Sequence, residues 1–164
     1  MLVVDFGAQY AQLIARRVRE AHVFSEIVSH NLTAAEIAAK KPAGIIFSGG
    51  PASVHVEGAP SIDQGVYELG VPILGICYGA QLLARDLGGE VSRTDRGEYG
   101  RTELTVAADD VLFSSAQPRT QSVWMSHFDT ITVPPVGATV TASTPETPAA
   151  AYEDVKNRRY GVQF

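Results

Sequence analysis

The chain has 164 residues, 45% of them hydrophobic and 19% charged, with 13 Lys and Arg against 18 Asp and Glu. That length supports one domain with its own core, and the formal net charge of −5 leaves no basic footprint for nucleic acid. A single cysteine excludes an internal disulfide framework and fits a reducing, cytoplasmic setting; no apolar run approaches the roughly 18–20 residues that cross a bilayer.

The first half alternates two periodicities. Residues 2–6 are a short apolar run closed by Gly7, which predicts a strand rather than a signal peptide. Residues 10–21 follow with Ile14, Val18 and Ala21 at helical spacing, and Arg16, Arg17 and Arg19 read as its solvated face. Residues 24–29 alternate as a second strand. Thr33-Ala34-Ala35-Glu36 is a capping box that opens a short helix ending before Pro42. A third strand over 44–47, a helix over 61–69 and a fourth strand over 71–76 complete the pattern. Strands separated by helices imply parallel pairing, right-handed crossovers and helices on both sheet faces. The expected fold is α/β: a three-layer, mostly parallel sheet of the flavodoxin-like kind. After Gly88-Gly89 the texture becomes β-rich, with short strands expected over 102–106, 129–133, 139–142, 149–152 and 160–164.

The chemistry concentrates at Cys77. It sits in Gly75-Ile76-Cys77-Tyr78-Gly79-Ala80-Gln81, between the fourth strand and the helical stretch 80–87. A strand, one reactive atom on a tight turn and then a helix is the layout of a nucleophile elbow. A free cysteine is most often a small buried hydrophobe; the paired glycines at the strand–helix junction favour the catalytic reading. A thiol at a helix N-terminus meets unpaired N–H groups and the positive end of the helix dipole, which favours the thiolate. Ser48-Gly49-Gly50-Pro51 leaves the neighbouring strand. It is no Walker loop, because no Gly-Lys-Ser/Thr follows. Its N–H groups, with that of Tyr78, are placed to receive the oxyanion of a tetrahedral acyl intermediate. Val123-Trp124-Met125-Ser126-His127-Phe128-Asp129 combines packing residues with a polar rim; taken alone, its histidine reads as structural more readily than catalytic. The four histidines are scattered without metal-ligand spacing.

Asp5-Phe6-Gly7-Ala8-Gln9-Tyr10, Ser48-Gly49-Gly50-Pro51, the Cys77 elbow, Trp124-Met125-Ser126-His127 and Gly161-Val162-Gln163-Phe164 occur in this order. Together they resemble the class I glutamine amidotransferase domains, and within them the GMP synthase branch. The resemblance covers essentially the whole chain, residues 1–164, as one such domain. It implies that Cys77 attacks the carboxamide of glutamine and that the N–H groups of Gly50 and Tyr78 hold the oxyanion. It also implies that Gly49, Gln81, Ser126 and His127 help to hold the substrate. Ammonia would pass to a synthetase (ATP-pyrophosphatase) domain of the same enzyme for conversion of XMP to GMP. ATP and magnesium belong to that domain; no cofactor, metal, nucleic acid or membrane is expected here. An amidotransferase subunit of anthranilate or aminodeoxychorismate synthesis shares the elbow, but those branches open on an Asn-Tyr-Asp-Ser-Phe-like segment instead.

Two departures stand out. In the family, Gly-Val-Gln-Phe runs directly into His-Pro-Glu, which supplies the base and its orienting carboxylate, whereas this sequence stops at Phe164. The expectation is a C-terminally incomplete domain, without its synthetase and dimerisation domains and inactive as it stands, or a non-catalytic domain that binds glutamine or a partner. His127 is considered as a substitute base and set aside. The second departure is Phe128, where the family typically has glycine. A Phe there either strains the loop or narrows the substrate rim. Ala52 and His55 are also atypical for the glycine loop.

Overall fold

The computed structural model describes residues 1–50, 53–108 and 110–164, and the side chains of all of these except 94–96. Strands β1 (Leu2–Asp5), β2 (Glu26–Ser29), β3 (Ile45–Phe47) and β4 (Ile73–Ile76) alternate with helices α1 (Ala11–Glu20) and α2 (Ala34–Ala39) and a 3₁₀ turn (Gln64–Glu68). Helix α3 (Tyr78–Asp86) follows β4 directly, and then come β5 (Glu90–Val106), β6 (Thr120–Val133), β7 (Thr139–Ser143), β8 (Ala151–Asp154) and β9 (Arg159–Val162). Among the described residues these strands form one sheet in the order β2-β1-β3-β4-β9-β8-β7-β5-β6. The first five positions are parallel; from β8 onward the pairing is antiparallel.

The alternation of side chains along each strand divides the core between two faces. Val3 and Ile46 pack with Ala11 and Ala15 of α1 on one side. Leu2, Val4, Ile45, Phe47 and Ile73 face the other side, against Ile37 of α2, Val66 of the 3₁₀ turn and Leu82 and Leu83 of α3. Helix α3 is buried from Tyr78 through Ala84. It lies between the parallel strands and the β5–β6 ribbon, whose Val91 and Ile131 join the same cluster. A helix covered on several sides has no polar face to show.

The capping box at α2 forms as expected: the Thr33 hydroxyl accepts from the Glu36 N–H at 3.2 Å, and Glu36 Oε2 accepts from the Thr33 N–H at 2.8 Å. Arg16 and Arg17 lie on the solvated face of α1 and pair with Glu20.

Three expectations need correction. The segment 61–69 makes only a five-residue 3₁₀ turn. Asp63 holds it short by accepting from the Gly65 and Ala34 N–H groups, tying the turn to the start of α2. Strand β8 runs to Asp154, because Glu153 and Asp154 are buried rather than solvated. Glu153 accepts from the remote N–H groups of Val111 and Leu112, and Asp154 from Asn157 in the turn that follows, so both charges are compensated. Strands β5 and β6 are 17 and 14 residues long rather than two five-residue pieces, with the register broken between Arg93 and Glu98. The Trp124–Asp129 segment is therefore strand, not a rim loop. Trp124 is 71% exposed while Met125 is buried, so only the methionine packs.

Candidate active site

The carboxyl ends of β1, β3, β4 and β9 converge, which is where open parallel sheets place their sites. Cys77 lies at the end of β4 with φ 50° and ψ −106°, a conformation that a non-glycine residue adopts only when its surroundings impose it. The flanking glycines are part of that imposition. A Cβ on Gly75 would lie 2.6 Å from Gly79 and from the Ala80 nitrogen, and one on Gly79 would lie 2.5 Å from the Phe47 carbonyl oxygen. The elbow is anchored by the Cys77 N–H donating to Val162 O at 2.8 Å and the Gly79 N–H donating to Ser48 O at 3.1 Å.

The glycine loop is held just as directly. Ser48 accepts at its hydroxyl from the Phe6 N–H at 3.1 Å, and the hydroxyl donates to Gly49 O at 2.8 Å. Tyr78 packs against Phe6 at 5.6 Å between ring centroids, and its hydroxyl donates to Pro60 O. A Cβ on Gly50 would come within 2.9 Å of the Tyr78 ring, so loop and elbow interlock. Among the described residues the N–H groups of Gly49 and Gly50 have no acceptor. The Tyr78 N–H lies in the first turn of α3, next to Cys77, and pulls the thiol pKa down. Pro51 and Ala52 of the same motif lie outside the described residues.

Strand β6 crosses the open side of the thiol. Cys77 Sγ donates to Ser126 O at 3.9 Å, and Gln163 Nε2, just past β9, donates to Sγ at 3.8 Å. Gln81 is buried, and its amide donates to Asp129 O at 2.8 Å, fastening α3 to β6. Gly50, Cys77, Tyr78, Gln81, Ser126 and His127 all line a cavity of about 480 Å³, together with Ser53, Val56, Arg93, Tyr99, Phe128 and Asp129. Gly49 lines a second, more apolar cavity of about 620 Å³ on the other side of Cys77, shared with Tyr10, Trp124 and Phe164.

One feature of the site differs from expectation, the state of the thiol, and one agrees with it, the orientation of His127. The helix dipole is not the dominant influence on the thiol: burial pushes the Cys77 pKa up, against the opposing pull of the Tyr78 N–H and the Gln163 amide. Burial thus favours the protonated thiol at neutral pH. His127 is not oriented to be a base for it. Its Nδ1 lies 2.9 Å from Asp129 O, a pure acceptor, so that nitrogen carries the proton; its Nε2 lies 3.3 Å from Glu98 Oε2. Burial holds the imidazole below its ordinary pKa, although the Asp129 carbonyl and Glu98 both pull the other way. Glu98 in turn accepts from Thr144 at 2.7 Å and from the Thr147 hydroxyl. His127 therefore lines the cavity with its ring nitrogens turned to Asp129 O and Glu98 rather than to Cys77.

Glu98, Ser53 and Gln163 were not picked out by sequence reasoning. Gln163 lies in the Gly-Val-Gln-Phe segment, so a signal was present; Glu98 and Ser53 join the site only through partners 29 and 76 residues away, and no spacing rule finds them. Phe128 has no positive φ and lies in regular strand, so the backbone is unstrained. Phe128 lines the cavity, with the Arg93 guanidinium 5.0 Å from its ring centroid. Among the described residues no group of His, Cys, Asp and Glu is arranged to hold a metal ion, and no helix is long and apolar enough to cross a membrane.

Known proteins share this arrangement. The family model of glutamine amidotransferase class-I matches residues 2–164. The chain is 58% identical to a glutamine-hydrolysing GMP synthase of Parafrankia sp. (strain EAN1pec) over all 164 residues, which make up 30% of that protein. It is 58% identical to the corresponding protein of Thermobifida fusca, again over the whole chain and 31% of the relative. The chain thus spans about a third of the length of the curated relatives it matches. Among solved structures, a candidate GMP synthase subunit from Thermoplasma acidophilum superposes with a TM-score of 0.85 at 29% identity, covering 99% of this chain and 81% of that one. A glutamine amidotransferase from Thermotoga maritima shares the fold, with a TM-score of 0.77 at 22% identity, over 99% of this chain and 74% of that one. With an elbow cysteine, an adjoining glycine loop and a family match from residue 2 to residue 164, the chain belongs to the class-I glutamine amidotransferases.

Proposed function

We propose that this chain is the glutaminase module of a GMP synthase, in which Cys77 hydrolyses glutamine to supply ammonia to a synthetase domain. The observation that carries the reading is the Cys77 elbow, with its Sγ beside the Tyr78 N–H and the Gly49–Gly50 loop packed on Tyr78. The 58% identity to two GMP synthases along the entire chain supports the branch.

In the proposed reaction the glutamine carboxamide enters the cavity lined by Gln81 and Ser126, and the Cys77 sulfur attacks its carbonyl carbon. The C–N bond breaks after the oxyanion has been held by the Gly50 and Tyr78 N–H groups. Ammonia leaves with a proton from the general acid, and water then hydrolyses the γ-glutamyl thioester to glutamate. Because burial disfavours the thiolate, a base must take the thiol proton. In the family that base follows the Gly-Val-Gln-Phe strand. Gln163 at the end of that strand reaches Cys77 Sγ at 3.8 Å, so a histidine carried on from there would stand beside the thiol. Gly49 shapes the loop, and His127 supports the wall that carries Ser126. The ammonia acceptor, XMP activated by ATP and magnesium, would be handled by the synthetase domain, and the reaction would take place in the cytoplasm.

The test is covalent labelling of the full enzyme by a glutamine analogue bearing an electrophilic diazoketone in place of the carboxamide. Mass spectrometry should find one adduct, on Cys77, protected by excess glutamine. Labelling unaffected by Cys77→Ser, or no protection by glutamine, would overturn the reading.

A further inference from the structure

We propose that the Ser48 hydroxyl is a positioning group for the reaction: by holding Gly49 O it turns the Gly49–Gly50 peptide so that the Gly50 N–H faces the oxyanion formed at Cys77. This rests on the reading of the Cys77 cavity as a site of acyl transfer from glutamine.

Every polar group of Ser48 is engaged. Its N–H donates to Val4 O at 3.1 Å and its carbonyl accepts from the Gly79 N–H at 3.1 Å, which fixes the residue between β1 and the elbow. Its hydroxyl oxygen accepts from the Phe6 N–H at 3.1 Å. An N–H only donates and a carbonyl oxygen only accepts, so the single hydroxyl proton goes to Gly49 O, 2.8 Å away. Ser48 is buried, which shields this bond from solvent. The next two residues are the opposite case: among the described residues the N–H groups of Gly49 and Gly50 have no acceptor.

In a trans peptide the C=O and N–H bonds point in opposite directions. With Gly49 O drawn to Ser48, the Gly50 N–H is directed away from that serine, and Gly50 lines the Cys77 cavity. A Cβ on Gly49 would lie 3.9 Å from the Cys77 Cβ, so this peptide stands beside the nucleophile. A peptide between two glycines is also free to turn over, because neither carries a Cβ to forbid the backbone angles that a flip requires. The reversed peptide would present a carbonyl oxygen to the oxyanion where a donor is needed. The two glycines supply the mobility, and the Ser48 hydroxyl selects one orientation.

The test compares Ser48→Ala and Ser48→Thr in the full enzyme, by glutaminase kinetics and by alkylation of Cys77 with iodoacetamide. Alkylation displaces iodide at a saturated carbon and develops no oxyanion, so it reads the thiol and the fold without the N–H donors. Loss of a whole oxyanion donor costs about 10²–10³ in kcat. Loss of its orientation alone should lower kcat of Ser48→Ala roughly tenfold to 100-fold, with KM and the alkylation rate held within about twofold. Ser48→Thr, which keeps the hydroxyl, should recover part of the loss. A kcat for Ser48→Ala within about twofold of the parent, or an alkylation rate that falls in step with kcat, would overturn the proposal. A second reading needs no variant: a crystal structure of the full enzyme carrying the diazoketone adduct on Cys77 should keep Gly49 O on Ser48 and place the Gly50 N–H on the adduct oxygen. A Gly49 carbonyl turned toward the adduct would overturn the proposal while leaving the glutamine reading intact. Absence of glutamine hydrolysis by the unaltered full enzyme would overturn the glutamine reading, and the role of Ser48 with it.

Discussion

Glu98 is the residue whose removal tests the architecture of the site most severely. It is 7% exposed, and it gathers the Thr144 hydroxyl at 2.7 Å, the Thr147 hydroxyl, and His127 Nε2 at 3.3 Å. Glu98→Ala leaves two buried hydroxyls without their acceptor, at about 1–3 kcal/mol each when a buried group is left unsatisfied. The vacated side-chain volume adds a cavity cost, and loss of the carboxylate relieves part of the burden of a buried charge. The expected net loss is about 3–5 kcal/mol, a large part of the roughly 5–15 kcal/mol that holds a domain of this kind together. For a chain of this length that corresponds to a fall in Tm of roughly 6–20 °C. Glu98→Gln behaves differently. Its amide oxygen still accepts a hydroxyl, and its NH₂ has His127 Nε2, a buried nitrogen without a hydrogen-bond partner in this structure, as an acceptor. It should cost no more than about 1 kcal/mol. Thermal and urea unfolding followed by circular dichroism read both values. A loss under 1 kcal/mol for Glu98→Ala, or equal losses for the two variants, would refute the reasoning.

Three further outcomes are expected. Because burial raises the Cys77 pKa, the rate of alkylation by iodoacetamide in residues 1–164 should climb through the alkaline range, with its inflection above that of an ordinary thiol; a plateau already reached at pH 7 would contradict this. Gly79→Ala drives a Cβ to 2.5 Å from the Phe47 carbonyl and should cost about 2–3 kcal/mol in urea unfolding, whereas Gly49→Ala meets nothing closer than 3.9 Å and should change stability by less than about 0.5 kcal/mol. Thr33→Ala removes the acceptor for the Glu36 N–H and should destabilise by about 1 kcal/mol in the same assay, without altering Cys77 labelling.

Much of this protein was legible residue by residue. The strand–helix alternation, the capping box at Thr33, the elbow glycines and the loop at Ser48 are local patterns, because each states a constraint that its own backbone must satisfy. A glycine is needed at 75 and 79 because the strand turns sharply into a packed helix, and that spacing marks the elbow. The limits are equally local in origin. Apolar periodicity ended β8 early, since it cannot register an acid such as Glu153 that is neutralised by N–H groups 41 and 42 residues away.

The sequence by itself determined the α/β layout, the place of Cys77 at a strand–helix junction and the glycines that shape its turn. The tertiary structure decided what surrounds the sulfur. It packed β6 and Gln163 against Cys77, so that burial outweighs the helix N-terminus and favours the protonated thiol. It turned the His127 ring toward Glu98, which bonds to Thr144 from 46 positions away. Both decisions depend on which groups long-range packing brings within a few ångströms, and desolvation and charge act through that proximity rather than through the order of residues in the chain.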